Sequence, residues 1–256
     1  MNGSVLEDHF RFEELRVACA EIQEAIGRAL FERVAAGEVP TEALMLTEDA
    51  AARLKRLVLS RRRQTLPPVV THDVADEAGD PILRQLRAGG LRNQREDRVK
   101  VVYHPDFITQ TSPLFGIDYD QFVRGCHLGV FPSYYEPWGY TPAECTVLGV
   151  PSITSDLAGF GAFIQANLPD HDNQGLFVLQ RRRVPRERTL EQLTHRLFHF
   201  TQLSRRQRIE LRNRVERCSE LLDWENLAAN YFKAHRLARR RLAERLGGAV
   251  AAVEEG

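Results

Sequence analysis

Apolar side chains in the first sixty residues recur at helical spacing. Between residues 4 and 36 their spacing is close to that of a helix, with glutamate and arginine between them, until Gly37 and Pro40 end the pattern. A second run of this kind extends from Thr47 to about residue 61. The sequence therefore predicts two amphipathic helices that form a helical hairpin.

Beyond residue 80, short apolar runs alternate with short helical segments. The predicted strands are Val99–Tyr103, Leu128–Phe131, Ser152–Thr154 and Gly175–Gln180, and the predicted helices are Pro81–Leu86, Asp118–Arg124 and Gly159–Ala166. From Thr189 onward the pattern is helical, with breaks near Ser204 and Asp223. This alternation predicts an α/β fold with a parallel, doubly wound sheet followed by C-terminal helices.

The stretch from Val130 to Ile153 predicts a strand, a loop, a helix and a second strand. Prolines and a glycine rule out one continuous helix after Glu136. Thr141 is a suitable N-cap, the proline after it suits the first helical position, and Glu144 falls where a glutamate completes a capping box. The two glutamates, with seven residues between them, therefore mark the two ends of the loop.

Ligands of open α/β sheets bind at the carboxyl ends of strands, which is where this loop begins. The backbone N–H groups of Trp138 to Ala143 are candidates for binding a phosphate or another anion at the helix start. Glu136 is a candidate acceptor for sugar hydroxyl groups. In the alternative interpretation Glu144 is only a cap and Glu136 only a solvated loop residue.

Composition narrows the classes of function. The chain has 256 residues, 43% of them hydrophobic, and a formal net charge of +0. Its four cysteines lie far apart without metal-ligand spacing, which is typical of the reduced thiols of a cytosolic protein. Arginine runs at 61–63, 181–183 and 239–241 raise the possibility of nucleic-acid contacts, but the balanced charge and the lack of interleaved aromatic residues count against it. We expect a soluble cytoplasmic protein with no metal, no nucleic-acid partner and no membrane span.

The segment from Ser204 to Leu222 predicts an arginine-rich helix. At about 100° per residue one side of it carries an apolar stripe, formed by Leu211, Val215, Cys218 and Leu222. Arg205, Arg208 and Arg212 line up beside that stripe. Clustered, half-buried guanidinium groups bind phosphate well. A solvated face paired with glutamates and a nucleic-acid patch are the alternatives.

The residues Cys126–Thr146, with Y-Y-E-P-W-G-Y-T-P-A-E at their centre, resemble the nucleotide-sugar site of animal and fungal glycogen synthases (glycosyltransferase family 3). The resemblance extends from about Val5 to about Leu242. It implies the C-terminal half of a GT-B glycosyltransferase, in which two Rossmann-like domains face across a cleft. The implied segments are a helical insertion at 1–66, a nucleotide-sugar-binding domain at 67–186, regulatory helices at 187–247 and a tail at 248–256.

The resemblance also implies roles for particular residues. They are Glu136 and Glu144 at the catalytic site, donor contacts from Glu136, Trp138, Gly139, Thr141 and Tyr119, and a glucose 6-phosphate site formed by His127, Arg208 and Arg212. By itself, His127 would be read as an ordinary buried histidine at a strand start. Tyr119 either stacks on the base of the nucleotide or packs, partly buried, on its own helix.

The reaction implied by the resemblance is retaining transfer of glucose from UDP-glucose to a chain end of glycogen, without a cofactor and under activation by glucose 6-phosphate. The helical insertion implies a homo-oligomer, unless the hairpin simply packs on its own domain. Preference for UDP-glucose over ADP-glucose is left open. The family's first domain, and the arginine and lysine that neutralise the departing diphosphate, have no counterpart here, so we expect this chain alone to be inactive. A non-catalytic module for sugar-phosphate binding or assembly is the alternative.

Overall fold

The computed structural model describes residues 4–39, 47–60 and 66–246. The chain divides into two compact units, Met1–Asp118 and Tyr119–Gly256. The basic run at 61–63 and the predicted tail at 248–256 lie outside the described residues. The four-part division expected from the resemblance stays a prediction.

The described residues of the first unit include three helices. They are α1 (Glu7–Ala35), α2 (Glu48–Ser60) and α3 (Pro81–Ala88). All three begin and end close to the predicted residues. α1 and α2 are in contact, with an ion pair between Arg53 and Glu21 (2.7 Å). The N-terminus of α1 is hydrogen-bonded to another segment of the first unit, since the Leu6 amide donates to the Thr71 carbonyl (2.9 Å).

The predicted strand Val99–Tyr103 is wrong in its extent, since only Tyr103 forms a β-bridge, with Val70. The Asn93 side chain takes the place of a neighbouring strand. Its amide donates to the Val101 carbonyl (2.7 Å) and its oxygen accepts from the Val101 amide (2.8 Å). Val102 is 61% exposed, so this apolar run is not buried as the prediction required.

Three histidines and a threonine form a polar cluster in the first unit. The Thr71 hydroxyl lies 2.8 Å from Nδ1 of His72 and 2.9 Å from Nδ1 of His104. Nε2 of His9 lies 3.0 Å from the Val70 carbonyl. Burial, and then the neighbouring histidines, lower the pKa of His104, while a nearby aspartate opposes the shift. The folded unit therefore favours the neutral form of this histidine.

The second unit contains a parallel sheet of three strands in the order β1 (Gly129–Val130), β2 (Ser152–Ser155) and β3 (Leu176–Leu179). The parallel α/β arrangement is as predicted. β1 is shorter than the predicted Leu128–Phe131, although the Phe131 amide still donates to the Ile153 carbonyl (2.7 Å). The spatial order of the described strands follows the chain without reversal, so the doubly wound sheet stays a prediction.

Helices surround this sheet at nearly the predicted positions. They are α4 (Tyr119–Gly125), α5 (Tyr140–Val147), α6 (Gly159–Asn167), α7 (His171–Gln174), α8 (Arg186–Gln202), α9 (Arg205–Arg217) and α10 (Trp224–Arg245), with a 3₁₀ helix at Cys218–Leu222. Phe160, Ile164, Leu176 and Val215 are almost fully buried and form one core cluster. The core thus joins α6, β3 and the arginine-rich helix α9.

Candidate functional site

The loop between β1 and α5 is held against the start of α6. The Gly159 amide donates to the Glu136 carbonyl (2.9 Å), and the Phe160 amide donates to the Trp138 carbonyl (2.6 Å). A Cβ on Gly159 would lie 2.2 Å from the Pro137 carbonyl oxygen. The glycine here therefore lets the two backbones approach each other, and the loop that carries Glu136 rests directly on α6.

Trp138 packs on α6 through its ring. Its centroid lies 5.8 Å from that of Phe160 and 5.4 Å from that of Phe163, both in edge-to-face geometry. The side chain is half-buried against the core cluster. Trp138 consequently anchors the loop, whatever else it contacts.

The predicted capping box at the start of α5 is wrong. The helix begins at Tyr140, and its N-cap is Gly139 with φ +111°, without a side-chain cap. Thr141 is already inside the helix, and Glu144 is its fifth residue, two positions beyond the one that completes a capping box. Gly139 turns the chain earlier than predicted because its left-handed conformation is open to glycine. The amides of Tyr140 and Thr141 thus lie in a first turn that no described side chain caps, as binding of an anion there requires.

Tyr119 and Glu144 are brought together. The Tyr119 side chain lies next to the Glu144 carboxylate. Burial, followed by the charge of the neighbouring Glu144, raises the pKa of Tyr119 to about 12. The residue remains 37% exposed, so part of the ring is open beside Glu144. A predicted donor contact at the start of α4 and a predicted catalytic-site glutamate in α5 are therefore neighbours.

The apolar stripe of the arginine-rich helix is confirmed. Leu211, Val215 and Cys218 are buried, and Leu222 packs against the same cluster. The helix begins with a capping box of its own, between Ser204 and Gln207. The stripe therefore fixes the side of α9 on which its arginines lie.

Arg212 reaches from α9 to the end of α4. Its guanidinium donates to the carbonyls of Cys126 (2.8 Å) and Arg124 (3.1 Å). Arg208 is half-buried one turn earlier on the same helix, and His127 is exposed directly after Cys126. The buried position considered for His127 is therefore wrong. The structure brings the regions of the predicted phosphate residues together, while their roles stay predictions.

Other arginines of this helix have partners of their own. Arg206 pairs with Glu210 (2.8 Å), and Arg214 donates to the Asn173 carbonyl (2.8 Å). The interpretation of α9 as a solvated face is thus met in part, at Arg206.

Sequence reasoning missed a network at the carboxyl ends of the strands. The Arg181 guanidinium donates to the Pro132 carbonyl and lies 3.6 Å from the centroid of the Tyr134 ring. Asp156 accepts from the Arg181 amide (2.8 Å), and Ser155 donates to the Ser133 carbonyl (2.7 Å). The signal that could have found it is a charged residue close after each of two parallel strands, with Asp156 directly after β2 and Arg181 two residues after β3.

The cysteines are free thiols. Cys145 and Cys218 are buried, Cys126 is half-buried and Cys19 is exposed. Burial raises the pKa of Cys145 to about 11, which keeps it protonated. Within the described ranges, no three histidine, cysteine, aspartate or glutamate side chains are grouped so that they could hold a metal ion. None of the helices in the described part of the chain has the length and apolar character needed to cross a membrane.

Comparison with known proteins identifies the family. Residues 1–248 match the family model described as glycogen synthase. The chain is 50% identical over 216 residues to the liver glycogen [starch] synthase of Mus musculus, covering 84% of this chain and 31% of that protein. It is 47% identical over 230 residues to the glycogen [starch] synthase of Caenorhabditis elegans, covering 90% of this chain and 34% of the relative. The glycogen [starch] synthase of Neurospora crassa is 47% identical over 233 residues, covering 90% of this chain and 33% of its own length. The chain thus spans about a third of the curated relatives it matches, and it belongs to the glycogen synthase family.

Proposed function

We propose that this chain is the donor-binding part of a cytoplasmic glycogen synthase. The reaction is retaining transfer of glucose from UDP-glucose to the non-reducing end of an α-1,4-glucan. The observation that carries this proposal is the start of α5, which the Glu136 loop enters through Gly139 and which has no side-chain cap, with Tyr119 and Glu144 next to each other nearby. Family membership supplies the reaction class, and we assign the sheet to the second, doubly wound half of a GT-B enzyme.

Each part of the site has a chemical task in this proposal. The half-buried Glu136 accepts hydrogen bonds from the hydroxyl groups of the donor glucose. The N–H groups of the first turn of α5 face the diphosphate, whose charge the helix dipole stabilises. The exposed part of the Tyr119 ring contacts the base, with Glu144 next to it. Gly139 and Thr141 lie at the helix start, where the phosphates bind.

The chain alone is expected to bind the donor without turnover. Expelling the UDP leaving group depends on electrostatic stabilisation, commonly the largest catalytic contribution, and we find no arginine and lysine pair that matches the family's. The test is to titrate UDP-glucose calorimetrically into the purified chain and, in parallel, to follow transfer of labelled glucose to glycogen. Binding that Glu136→Gln weakens, without transfer, is the expected result. Robust transfer would contradict the expected inactivity, and absence of binding would contradict the donor site.

Arg208, Arg212 and His127 form the proposed glucose 6-phosphate site. The contact of Arg212 with the Cys126 carbonyl brings its guanidinium next to the residue that precedes His127. We expect glucose 6-phosphate, but not glucose, to raise the melting temperature of the chain, and Arg208→Ala/Arg212→Ala to abolish the shift. The matched control is Arg206→Ala/Arg217→Ala, which removes two exposed arginines from the same helix and should keep the shift. An equal shift in both double variants would refute the assignment.

A non-catalytic module for sugar-phosphate binding or assembly is the second candidate. The observation in its favour is that α1 exposes apolar side chains near its end, with Phe31 at 75% and Val34 at 57%. Such a surface suits a homo-oligomer, which sedimentation velocity of wild type and Phe31→Ser would detect. A shift with glucose 6-phosphate but no binding of UDP-glucose would favour this module over the donor-binding part.

A further inference from the structure

Arg181 connects the carboxyl ends of all three strands of the described sheet. It lies just beyond β3, and its amide donates to Asp156, which directly follows β2 (2.8 Å). The Arg182 amide donates to the same carboxylate (3.1 Å). The Arg181 guanidinium donates to the carbonyl of Pro132, in the loop after β1. The residue is therefore fixed at its backbone by one strand end and holds another with its side chain.

Two further contacts act on the same part of the loop. The Arg181 guanidinium lies over the Tyr134 ring, 3.6 Å from its centroid. The Ser155 hydroxyl donates to the Ser133 carbonyl (2.7 Å). Three consecutive loop residues are thus held from β2 and β3. Glu136 follows two residues later, and its carbonyl is bound by the start of α6.

We propose that Arg181 is a positioning residue that sets the location of the Glu136 carboxylate relative to the donor sugar. The inference rests on the proposed donor site. The loop is held on both sides of Glu136, by Arg181 before it and by α6 after it, so the backbone that carries the carboxylate has little freedom to move. Arginine suits this role because its planar guanidinium can stack on an aromatic ring while donating to a carbonyl at its edge. A lysine at this position keeps the charge but lacks the planar fork.

The test uses tryptophan fluorescence and two related ligands. The chain has two tryptophans, Trp138 and Trp224, so a Trp224→Phe background makes Trp138 the reporter of the loop. In that background Arg181→Lys is compared with Arg182→Lys. The control removes a neighbouring exposed guanidinium, while the backbone amide that contacts Asp156 stays in place. Acrylamide quenching of Trp138 is measured without ligand, and the dissociation constants of UDP and UDP-glucose are measured calorimetrically.

Arg181→Lys should increase the quenching of Trp138 and weaken UDP-glucose binding about fivefold, the factor expected for loss of one net hydrogen bond. UDP binding should stay unchanged, because UDP lacks the sugar that Glu136 contacts. A merely structural role would weaken both ligands alike, and that outcome overturns the proposal. Quenching equal to that of Arg182→Lys also overturns it.

A second variant covers failure of Arg181→Lys to fold. Tyr134→Leu removes a ring that is 72% exposed, so folding does not depend on it, and it should change quenching and UDP-glucose binding in the same direction by a smaller factor. If wild type binds neither ligand, the donor site is refuted. The quenching comparison without ligand then still decides whether Arg181 holds the loop.

Discussion

Substitution of Gly159 by alanine tests the contact on which the donor loop rests. The added Cβ would lie 2.2 Å from the carbonyl oxygen of Pro137 and 3.1 Å from Cα of Trp138. Both are backbone atoms, so rotation of a side chain cannot relieve the overlap. An ordinary carbon–oxygen contact is at least about 3.3 Å long, so the loop must move by about 1 Å.

The cost follows from this displacement. Overpacking a well-packed site destabilises a protein by about 1–3 kcal/mol. The movement also weakens two hydrogen bonds, from the Gly159 amide to Glu136 and from the Phe160 amide to Trp138, each with a net contribution of about 1 kcal/mol. We therefore expect Gly159→Ala to lower the free energy of unfolding of the second unit by about 2–4 kcal/mol. Binding of UDP-glucose should weaken at the same time, because the displaced loop carries Glu136.

Urea unfolding followed by tryptophan fluorescence is the appropriate assay, since Trp138 and Trp224 both belong to the second unit. The matched control is Gly125→Ala, because a Cβ on Gly125 meets nothing within 4 Å. Its free energy of unfolding should change by less than about 1 kcal/mol. Equal urea midpoints for the two variants, with wild-type affinity for UDP-glucose, would refute the reasoning.

Three further predictions concern packing and protonation. Gly175→Ala should lower the free energy of unfolding by about 2–5 kcal/mol, because Gly175 has a φ of +90° and an added Cβ would lie only 2.8 Å from a buried side chain of α9. Gly149→Ala should lower it by only about 1–2 kcal/mol, because φ is +66° and the nearest atom would be 3.5 Å away; similar urea midpoints would contradict this difference. Tyr119 should ionise near pH 12 in an ultraviolet titration, and Glu144→Gln should lower its pKa. Because the tyrosine of the unfolded chain loses its proton first, the free energy of unfolding should fall as the pH rises from 10 toward 12. His104, whose pKa is lowered in the folded state, should titrate below pH 6.5 by NMR, and a normal titration would contradict its burial. Its contribution to stability is present above pH 6.5 and should be lost as the pH falls through the folded pKa, because the unfolded histidine binds its proton first.

Hydrophobic periodicity predicted most helices and the parallel strands, because both depend on which side chains are buried. It failed at Val99–Tyr103, where the apolar side chains of Val99 and Val102 are more than half exposed, at 59% and 61%. The Asn93 side chain makes the hydrogen bonds of the Val101 backbone that a neighbouring strand would otherwise make. A polar residue eight positions away does not change the hydrophobic periodicity of the segment. Contacts of this kind depend on the folded chain and are not visible in a pattern.

The start of α5 shows a different limit. Thr141, Pro142 and Glu144 match the residue preferences of a capping box, yet Gly139 ends the loop first. Residue preference alone could not decide between Gly139 and Thr141 as the N-cap, because glycine and threonine are both favoured at that position. A Cβ on Gly139 would lie 3.3 Å from Pro142 and 3.4 Å from Phe160. Phe160 belongs to a different helix, so the local sequence around Gly139 does not reveal this contact.

The parts of the candidate site that depend on a local sequence motif were predictable. The parts that depend on contacts between residues far apart in the sequence were not. The loop with Glu136 and the arginine-rich helix were found from the chain alone. The contact of Arg181 with Pro132 and the contact of Arg212 with Cys126 join residues 49 and 86 positions apart, and no spacing rule reaches that far.

Through Arg212, the short helix α4 lies between the proposed glucose 6-phosphate site and the proposed donor site. A guanidinium has five N–H donors, and Arg212 directs two of its nitrogens to the last carbonyls around α4. At the other end of that helix, about 10 Å away, Tyr119 begins the donor side. In the proposed sites, a phosphate that contacts Arg212 therefore acts at one end of this helix while the donor binds near the other end. We expect the affinities of the two ligands to be coupled, and by thermodynamic reciprocity the two effects on affinity should be equal.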